Sequence, residues 1–238
     1  MSTIGILGGM GPRATVAFEA LLLERLPGTD QALPTMVTIN DGGIPDRTKY
    51  LLGAGPDPVP RIQKNLRALE RLGADIVALP CNTACAPQIF DRLQPGSCEL
   101  LNLPKLVTEF MAQAGYRKVY ILATEGTVAA RVYQDLCLQQ GLGCEVPAKS
   151  TQTFANTMIK SVKRGRMQQA RYYGRRLAER IADTNCDAVI LGCTELPLVA
   201  EVLATADRQL VNTLEVLADA CVTKFQERKT DEPRFVYA

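Results

Sequence analysis

The chain has 238 residues, 47% hydrophobic and 22% charged, with a formal net charge of +2 and no histidine; this is the composition of a folded globular protein and excludes an extensively disordered one. No apolar run approaches the ~20 residues that span a bilayer, and Met1-Ser2-Thr3 leads into a strand-like run without a signal-peptide pattern, so a cytoplasmic protein with no membrane partner is expected. Eight cysteines in such a chain are expected as reduced thiols, and without histidine any proton transfer near neutral pH falls to Cys, Lys or carboxylates.

Strand-like apolar runs alternate with helix-length amphipathic ones, the pattern of parallel βαβ units. The first strand is expected at Thr3–Gly8 and the first helix at Pro12–Leu26, joined by Gly9-Met10-Gly11. This strand, Gly-x-Gly turn and helix partly match a dinucleotide fingerprint, but the acidic residue required at the end of the second strand is missing there. The competing reading is a tight turn whose amides approach a small anion, such as a carboxylate, at the helix amino end. A second strand, Thr35–Asn40, runs into the turn-rich loop Asn40 to Thr48, where the Arg47 guanidinium either binds a carboxylate bidentately or pairs on the surface with Asp46. Helix Pro60–Leu72, strand Ile76–Pro80 and strand Glu99–Asn102 complete the first series, with a crossover near Asn102 to Lys105.

The second series is expected as strand Val119–Ala123, helix Thr127–Gln140, strand Gly143–Val146, helix Met167–Ala182, strand Ala188–Gly192, strand Gln209–Val211 and helix Thr213–Arg228, with a loose tail after Lys229. Residues 149 to 180 hold nine Lys/Arg against the single acid Glu179. With so few aromatics for base stacking this reads as a solvated helix face and not as a nucleic-acid surface, Lys163 excepted.

One segment occurs twice. Ala74-Asp75-Ile76-Val77-Ala78-Leu79-Pro80-Cys81-Asn82-Thr83 is echoed by Cys186-Asp187-Ala188-Val189-Ile190-Leu191-Gly192-Cys193-Thr194-Glu195, each running from an Asp through an apolar strand to a Cys six residues on. The repeat extends upstream, with 70 residues from Gly11 to Cys81 and 67 from Gly126 to Cys193. An α/β fold of two pseudo-symmetric lobes is therefore expected, each a parallel four-stranded sheet flanked by helices, with the active site in the cleft between them. Residues 1–103, joined by 209–238, would form one lobe and 104–208 the other.

Ligands of open parallel sheets bind beyond the carboxyl ends of the strands, where both cysteines fall. A thiolate at a helix amino terminus is stabilised by free amides and the helix dipole, and a one-unit fall in pKa, about 1.4 kcal/mol, is within that reach. A structural role is the plain alternative for one buried cysteine and a poorer one for two at matched places in a repeat. A zinc site built on Cys81, Cys85 and Cys193 lacks the close Cys pairs and the His that such sites use.

Five ordered motifs, Gly5-Ile6-Leu7-Gly8-Gly9-Met10-Gly11-Pro12, Pro45-Asp46-Arg47-Thr48, Pro80-Cys81-Asn82-Thr83-Ala84, Leu122-Ala123-Thr124-x-Gly126-Thr127 and Gly192-Cys193-Thr194-Glu195, resemble those of the aspartate racemase branch of the aspartate/glutamate racemase superfamily over nearly the whole chain. The resemblance implies a cofactor-independent isomerase in which Cys81 and Cys193 work on opposite faces of the α-carbon of a dicarboxylic amino acid. It implies that Asn82, Thr83, Thr124, Thr127 and Thr194 hold the α-amino and α-carboxylate groups, with Met10 in the same site, that Arg47 and Lys163 clamp the side-chain carboxylate, and that the protein is a homodimer. Glu195 stands where glutamate racemases usually carry His, which leans toward aspartate; Cys85 replaces the His usual in the first cysteine motif, so altered polarity or pH dependence is expected there. Glutamate racemisation, another diacid isomerisation and a non-catalytic amino-acid-binding protein are the alternatives.

Overall fold

The computed structural model describes residues 2–204 and 208–231, the last two as main chain only; the tail expected after Lys229 lies outside the residues whose side chains are described. Two four-stranded parallel sheets account for all eight described strands. The first contains β1 (Thr3–Gly8), β2 (Thr35–Asn40), β3 (Ala74–Ala78) and β4 (Glu99–Leu100) in the order β2-β1-β3-β4; the second contains β5 (Lys118–Ala123), β6 (Gly143–Glu145), β7 (Ala188–Gly192) and β8 (Gln209–Asn212) in the order β6-β5-β7-β8. The central strands are near-continuous apolar runs because helices cover both faces, as parallel sheets require.

The helices are α1 (Pro12–Arg25), α2 (Arg47–Leu51), α3 (Val59–Arg71), α4 (Pro87–Phe90), α5 (Leu103–Gln113), α6 (Glu125–Ala129), α7 (Gln134–Gln139), α8 (Lys149–Lys163), α9 (Met167–Ala182) and α10 (Thr213–Asp231). Proline at the first or second position starts α1, α3 and α5, where its missing N–H has no intrahelical acceptor to lose. Asn102 caps α5 by accepting from the Lys105 amide, which is why β4 stops after two residues and not at Asn102.

The aspartate of each repeated segment is structural. Asp75 accepts from the Thr3 amide at 2.8 Å, and Asp187 accepts from the Arg117 and Lys118 amides at 2.7 and 2.9 Å. Each therefore ties the start of its own strand to the start of the neighbouring one and fixes the register that carries a cysteine to the other end.

Two expectations are corrected. The helix expected over Thr127–Gln140 is two short ones: the Val132 amide reaches back to the Thr127 carbonyl, Arg131 takes a left-handed φ of 55°, and the break lets Val132 and Tyr133 both turn into the core. The strand at 209–212 does not return to the first lobe with the C-terminal segment, since β8 pairs with β7 in the second sheet. Only α10 crosses over, packing Leu217, Cys221 and Phe225 against the first lobe between α1 and α5. It is held there at the surface by Arg25 on Glu215 and Asp219 and by Lys224 on Glu99. Core residues of both sheets consequently join in one apolar cluster. Among the described residues no helix is long and apolar enough to cross a membrane.

Candidate active site

In both sheets the chain reverses its direction of winding between the first strand and the third, so a crevice opens beyond the carboxyl ends of β1 and β3 and, in the second sheet, of β5 and β7. Gly9-Met10-Gly11 follows β1, Cys81 follows β3, Thr124 follows β5 and Cys193 follows β7. The two crevices face one another. Their walls enclose a cavity of about 200 Å3 lined by Arg47, Thr48 and Thr83 from one lobe and Thr124, Ile159 and Lys163 from the other. A second space of about 240 Å3, bounded by Met10, Gly11, Ile44 and Glu195, shares Asp46, Arg47 and Lys163 with the first. Both thiols are buried, with 6% of Cys81 and 5% of Cys193 exposed. Neither is on the wall of these spaces; Thr83 and Glu195, each two residues beyond a cysteine, are.

Two glycines allow close main-chain approach, one within the first lobe and one between the lobes. Gly9 has φ +92°, and a Cβ there would lie 2.2 Å from the Asp41 main chain, so only glycine passes this point. Asp41 in turn grips Arg61 through two hydrogen bonds and accepts from Asn65, which anchors the loop before α2. Across the cleft a Cβ on Gly126 would lie 2.7 Å from Thr48 Cα, so α2 and α6 can touch and Thr48 donates to Thr124 at 3.3 Å.

Arg47 is not a surface residue paired with Asp46. Asp46 caps α2 by accepting from the Lys49 amide, and the Arg47 guanidinium, 8% exposed, donates to the carbonyls of Ile44, Pro45 and Met10. Its buried Nε has no hydrogen-bond partner. Lys163, the last residue of α8, directs its ammonium to the same Met10 carbonyl at 3.4 Å and to Glu195 Oε1 at 3.5 Å. Two cations from opposite lobes thus converge on one main-chain oxygen, beside a buried N–H still able to donate.

The hydroxyls of Thr83, Thr124 and Thr127 form a closed triangle across the lobes with sides of 3.1, 2.8 and 2.9 Å. Asn82 faces elsewhere. Its Oδ1 accepts from the buried Tyr133 hydroxyl at 2.5 Å and its Nδ2 donates to Thr213, which donates to the Leu191 carbonyl. The Asn82 amide therefore stitches the lobes together and keeps one N–H uncommitted. Thr194 is buried, 3% exposed.

The expected helix amino termini at the cysteines are only 3-10 segments, Asn82–Cys85 after Cys81 and Leu196–Val202 beyond Cys193, too short or irregular to bring a full helix dipole. At Cys193 the environment acts in the opposite sense. Its thiol donates to Glu195 Oε2 at 3.0 Å, and burial first, then the Glu195 charge, push it well above the usual range, with the Lys163 ammonium opposing them. Burial alone would lower Lys163; its acidic surroundings, the Glu195 carboxylate first among them, outweigh it and hold the ammonium up. Cys85 donates to the Cys81 carbonyl at 3.5 Å, and burial keeps it a neutral thiol behind that residue.

In the sequence Glu195 stands only as part of a motif, and nothing there ties it to Cys193. Tyr133 carried no signal beyond its aromatic character.

Residues 7–221 match the Asp/Glu/hydantoin racemase family. The chain is 27% identical over 240 residues to the broad-specificity amino-acid racemase RacX of Bacillus subtilis, covering 93% of this chain and 97% of the relative. It is 28% identical over 173 residues to the glutamate racemase of Corynebacterium diphtheriae, covering 69% and 64%. Among solved structures, the Picrophilus torridus aspartate racemase superposes with a TM-score of 0.84 at 27% identity over 94% of both chains. Glutamate racemase isoform RacE1 of Bacillus anthracis shares the fold at 17% identity, with a TM-score of 0.70 over 95% of this chain and 82% of that one.

Proposed function

Because the chain belongs to the Asp/Glu/hydantoin racemase family, whose members are isomerases, we propose that it interconverts L- and D-aspartate without a cofactor, with Cys81 and Cys193 as the two bases. The observation that carries this reading is the meeting of matched strand ends. The Cys193 thiol meets Glu195, Glu195 meets the Lys163 ammonium, and that ammonium and Arg47 share the Met10 carbonyl of the opposite lobe's turn.

The difficulty of the reaction is the weak acidity of an α-hydrogen. One thiolate takes the proton, the electron pair left on carbon spreads into the α-carboxylate, and the opposite thiol delivers a proton to the other face. Donors that hold the α-carboxylate stabilise the developing charge without reorganising. The Thr83, Thr124 and Thr127 hydroxyls serve as such donors once substrate breaks their mutual triangle, and Thr194 and the free Asn82 N–H complete the set. Arg47, through its unpartnered Nε, and Lys163 receive the side-chain carboxylate in place of the Met10 carbonyl. Until then the Met10 carbonyl holds the two cations in place. The family likeness further leads us to a homodimer, which light scattering tests directly.

The experiment is to incubate L-aspartate with the protein in heavy water, following α-proton loss by NMR and D-aspartate by chiral chromatography. Exchange with inversion is expected, and its abolition in both Cys81→Ala and Cys193→Ala. Neither exchange nor inversion by the intact protein ends the proposal. The Leu52 and Ile159 side chains, which line the same cavity as Arg47 and Lys163, favour a second reading, acceptance of longer side chains such as that of glutamate. Relative kcat/KM over a panel of amino acids decides between the two.

A further inference from the structure

We infer that Glu195 is a positioning residue for Cys193: by accepting its S–H it holds the resting proton on that sulfur, which leaves Cys81 as the member of the pair called on first as base. This rests on the two-thiol reading above and adds that the two halves of the repeat are chemically unequal.

The geometry is one-sided. Cys193 Sγ lies 3.0 Å from Glu195 Oε2, whereas the acceptor drawn to the first half's turn is the Cys81 main-chain carbonyl, engaged by Cys85. Glu195 is 2% exposed, so its carboxylate acts at close quarters and is only weakly screened. It has been given room to be there: a Cβ on Gly11 would lie 2.0 Å from Glu195 Oε1. That oxygen has no hydrogen bond and is faced by the Lys163 ammonium at 3.5 Å, so both oxygens of the carboxylate are directed, one to the ammonium and one to the thiol. The other ionisable groups facing Cys193 are Tyr133, whose burial keeps its hydroxyl neutral, and, through Lys163, Cys81 and Arg47.

The consequence for turnover follows from charge. The enantiomer whose α-hydrogen faces Cys81 meets an enzyme already primed: the Cys81 thiolate takes that proton, and Cys193 transfers its own to the opposite face of the carbanion. Product then leaves behind a Cys193 thiolate beside a carboxylate, and the enzyme resets by losing the Cys81 proton to solvent and regaining one on Cys193. The other enantiomer requires the disfavoured form from the start. Because the equilibrium constant of a racemisation is unity, kcat/KM stays equal in the two directions, and the inequality must show in kcat and KM separately.

The test reads the thiols, not only turnover. Thiolate absorbance and iodoacetamide labelling, with the modified cysteine mapped by mass spectrometry, are followed against pH in the wild type, Glu195→Gln and Lys163→Met. A like charge at this range shifts a group by about 1–3 pH units. The Cys193 midpoint is expected to fall by at least about one unit, a tenfold gain in thiolate, in Glu195→Gln. It should rise in Lys163→Met, and Cys81 in Glu195→Gln should hold its midpoint. In the same Glu195→Gln protein the difference in kcat between L- and D-aspartate should narrow. An unchanged Cys193 midpoint in Glu195→Gln, or the same direction of shift in both variants, overturns the inference. If the intact protein proves not to racemise aspartate, the thiol titrations still decide the proton arrangement by themselves, so the two readings fail separately.

Discussion

Replacing Gly11 by alanine adds one methyl group at the point where the second lobe's carboxylate rests on the first lobe's turn. That methyl would stand 2.0 Å from Glu195 Oε1 and 3.0 Å from its Cδ. Ordinary contact needs about 3.4 Å, so the carboxylate must retreat by more than an ångström, enough to break a sulfur–oxygen hydrogen bond of 3.0 Å. The main chain contributes no strain, because Gly11 has φ −145° and ψ 108°, a region open to alanine. Crowding of a buried site costs about 1–3 kcal/mol, and a chain of this size loses about 2–4 °C of Tm per kcal/mol. A displacement of this kind in a reacting constellation lowers kcat about 100-fold. Initial rates by chiral chromatography and a thermal melt measure the two effects on one preparation. Gly42→Ala is the control, since nothing lies within 4 Å of its added methyl, and it should match the wild type in both. Folded Gly11→Ala protein with undiminished kcat would refute the placement of Glu195 against Cys193.

Tyr133→Phe removes the donor to Asn82 Oδ1 and leaves a buried acceptor unpaired, so urea denaturation should report a loss of about 1–3 kcal/mol. Arg47→Lys keeps the charge but cannot span the Ile44, Pro45 and Met10 carbonyls, and should raise KM for aspartate by more than it lowers kcat, as steady-state kinetics would show. Asp41 is held far below the usual carboxylate range by hydrogen bonds from Arg61 and then Asn65. A carboxyl whose folded pKa is depressed stabilises the fold fully above its unfolded value near 3.9 and loses that contribution as pH falls toward the folded value. Asp41→Asn should therefore flatten the acid limb of a Tm-against-pH curve below about pH 4 while lowering stability at neutrality.

The parts of this molecule that depend on near neighbours were legible in the chain. Strand positions and the Asp-to-Cys interval of each half are set within single βαβ units, where apolar period and turn chemistry speak directly. What escaped depends on tertiary contacts, between lobes or within one. The break at Arg131 serves a tyrosine that reaches Asn82, a residue 51 positions away in the chain, and nothing local announces it. The strand at 209–212 has the same short apolar character whichever sheet it joins; only its pairing with β7 decides the matter. Arg47 reads as a surface cation by charge alone, and its burial among carbonyls needs the turn at Met10 to be in place. The direction of the pKa shift at Cys193 is hidden from the sequence for a similar reason. A terminus that stabilises thiolates has to be a real helix, and a 3-10 segment with a buried carboxylate at its cap is the reverse.

The exchange of the closing helix has a further meaning for how such a molecule can be taken apart. Its ancestral halves look alike, yet neither owns all of its covering: the first borrows α10 from the far end of the polypeptide, and the second reaches its last strand only to send the chain back. Severed at the exposed turn around Gly115, the protein should yield two fragments that stay unfolded when alone and rebuild the whole on mixing, an interdependence that a simple tandem of self-sufficient modules would not display.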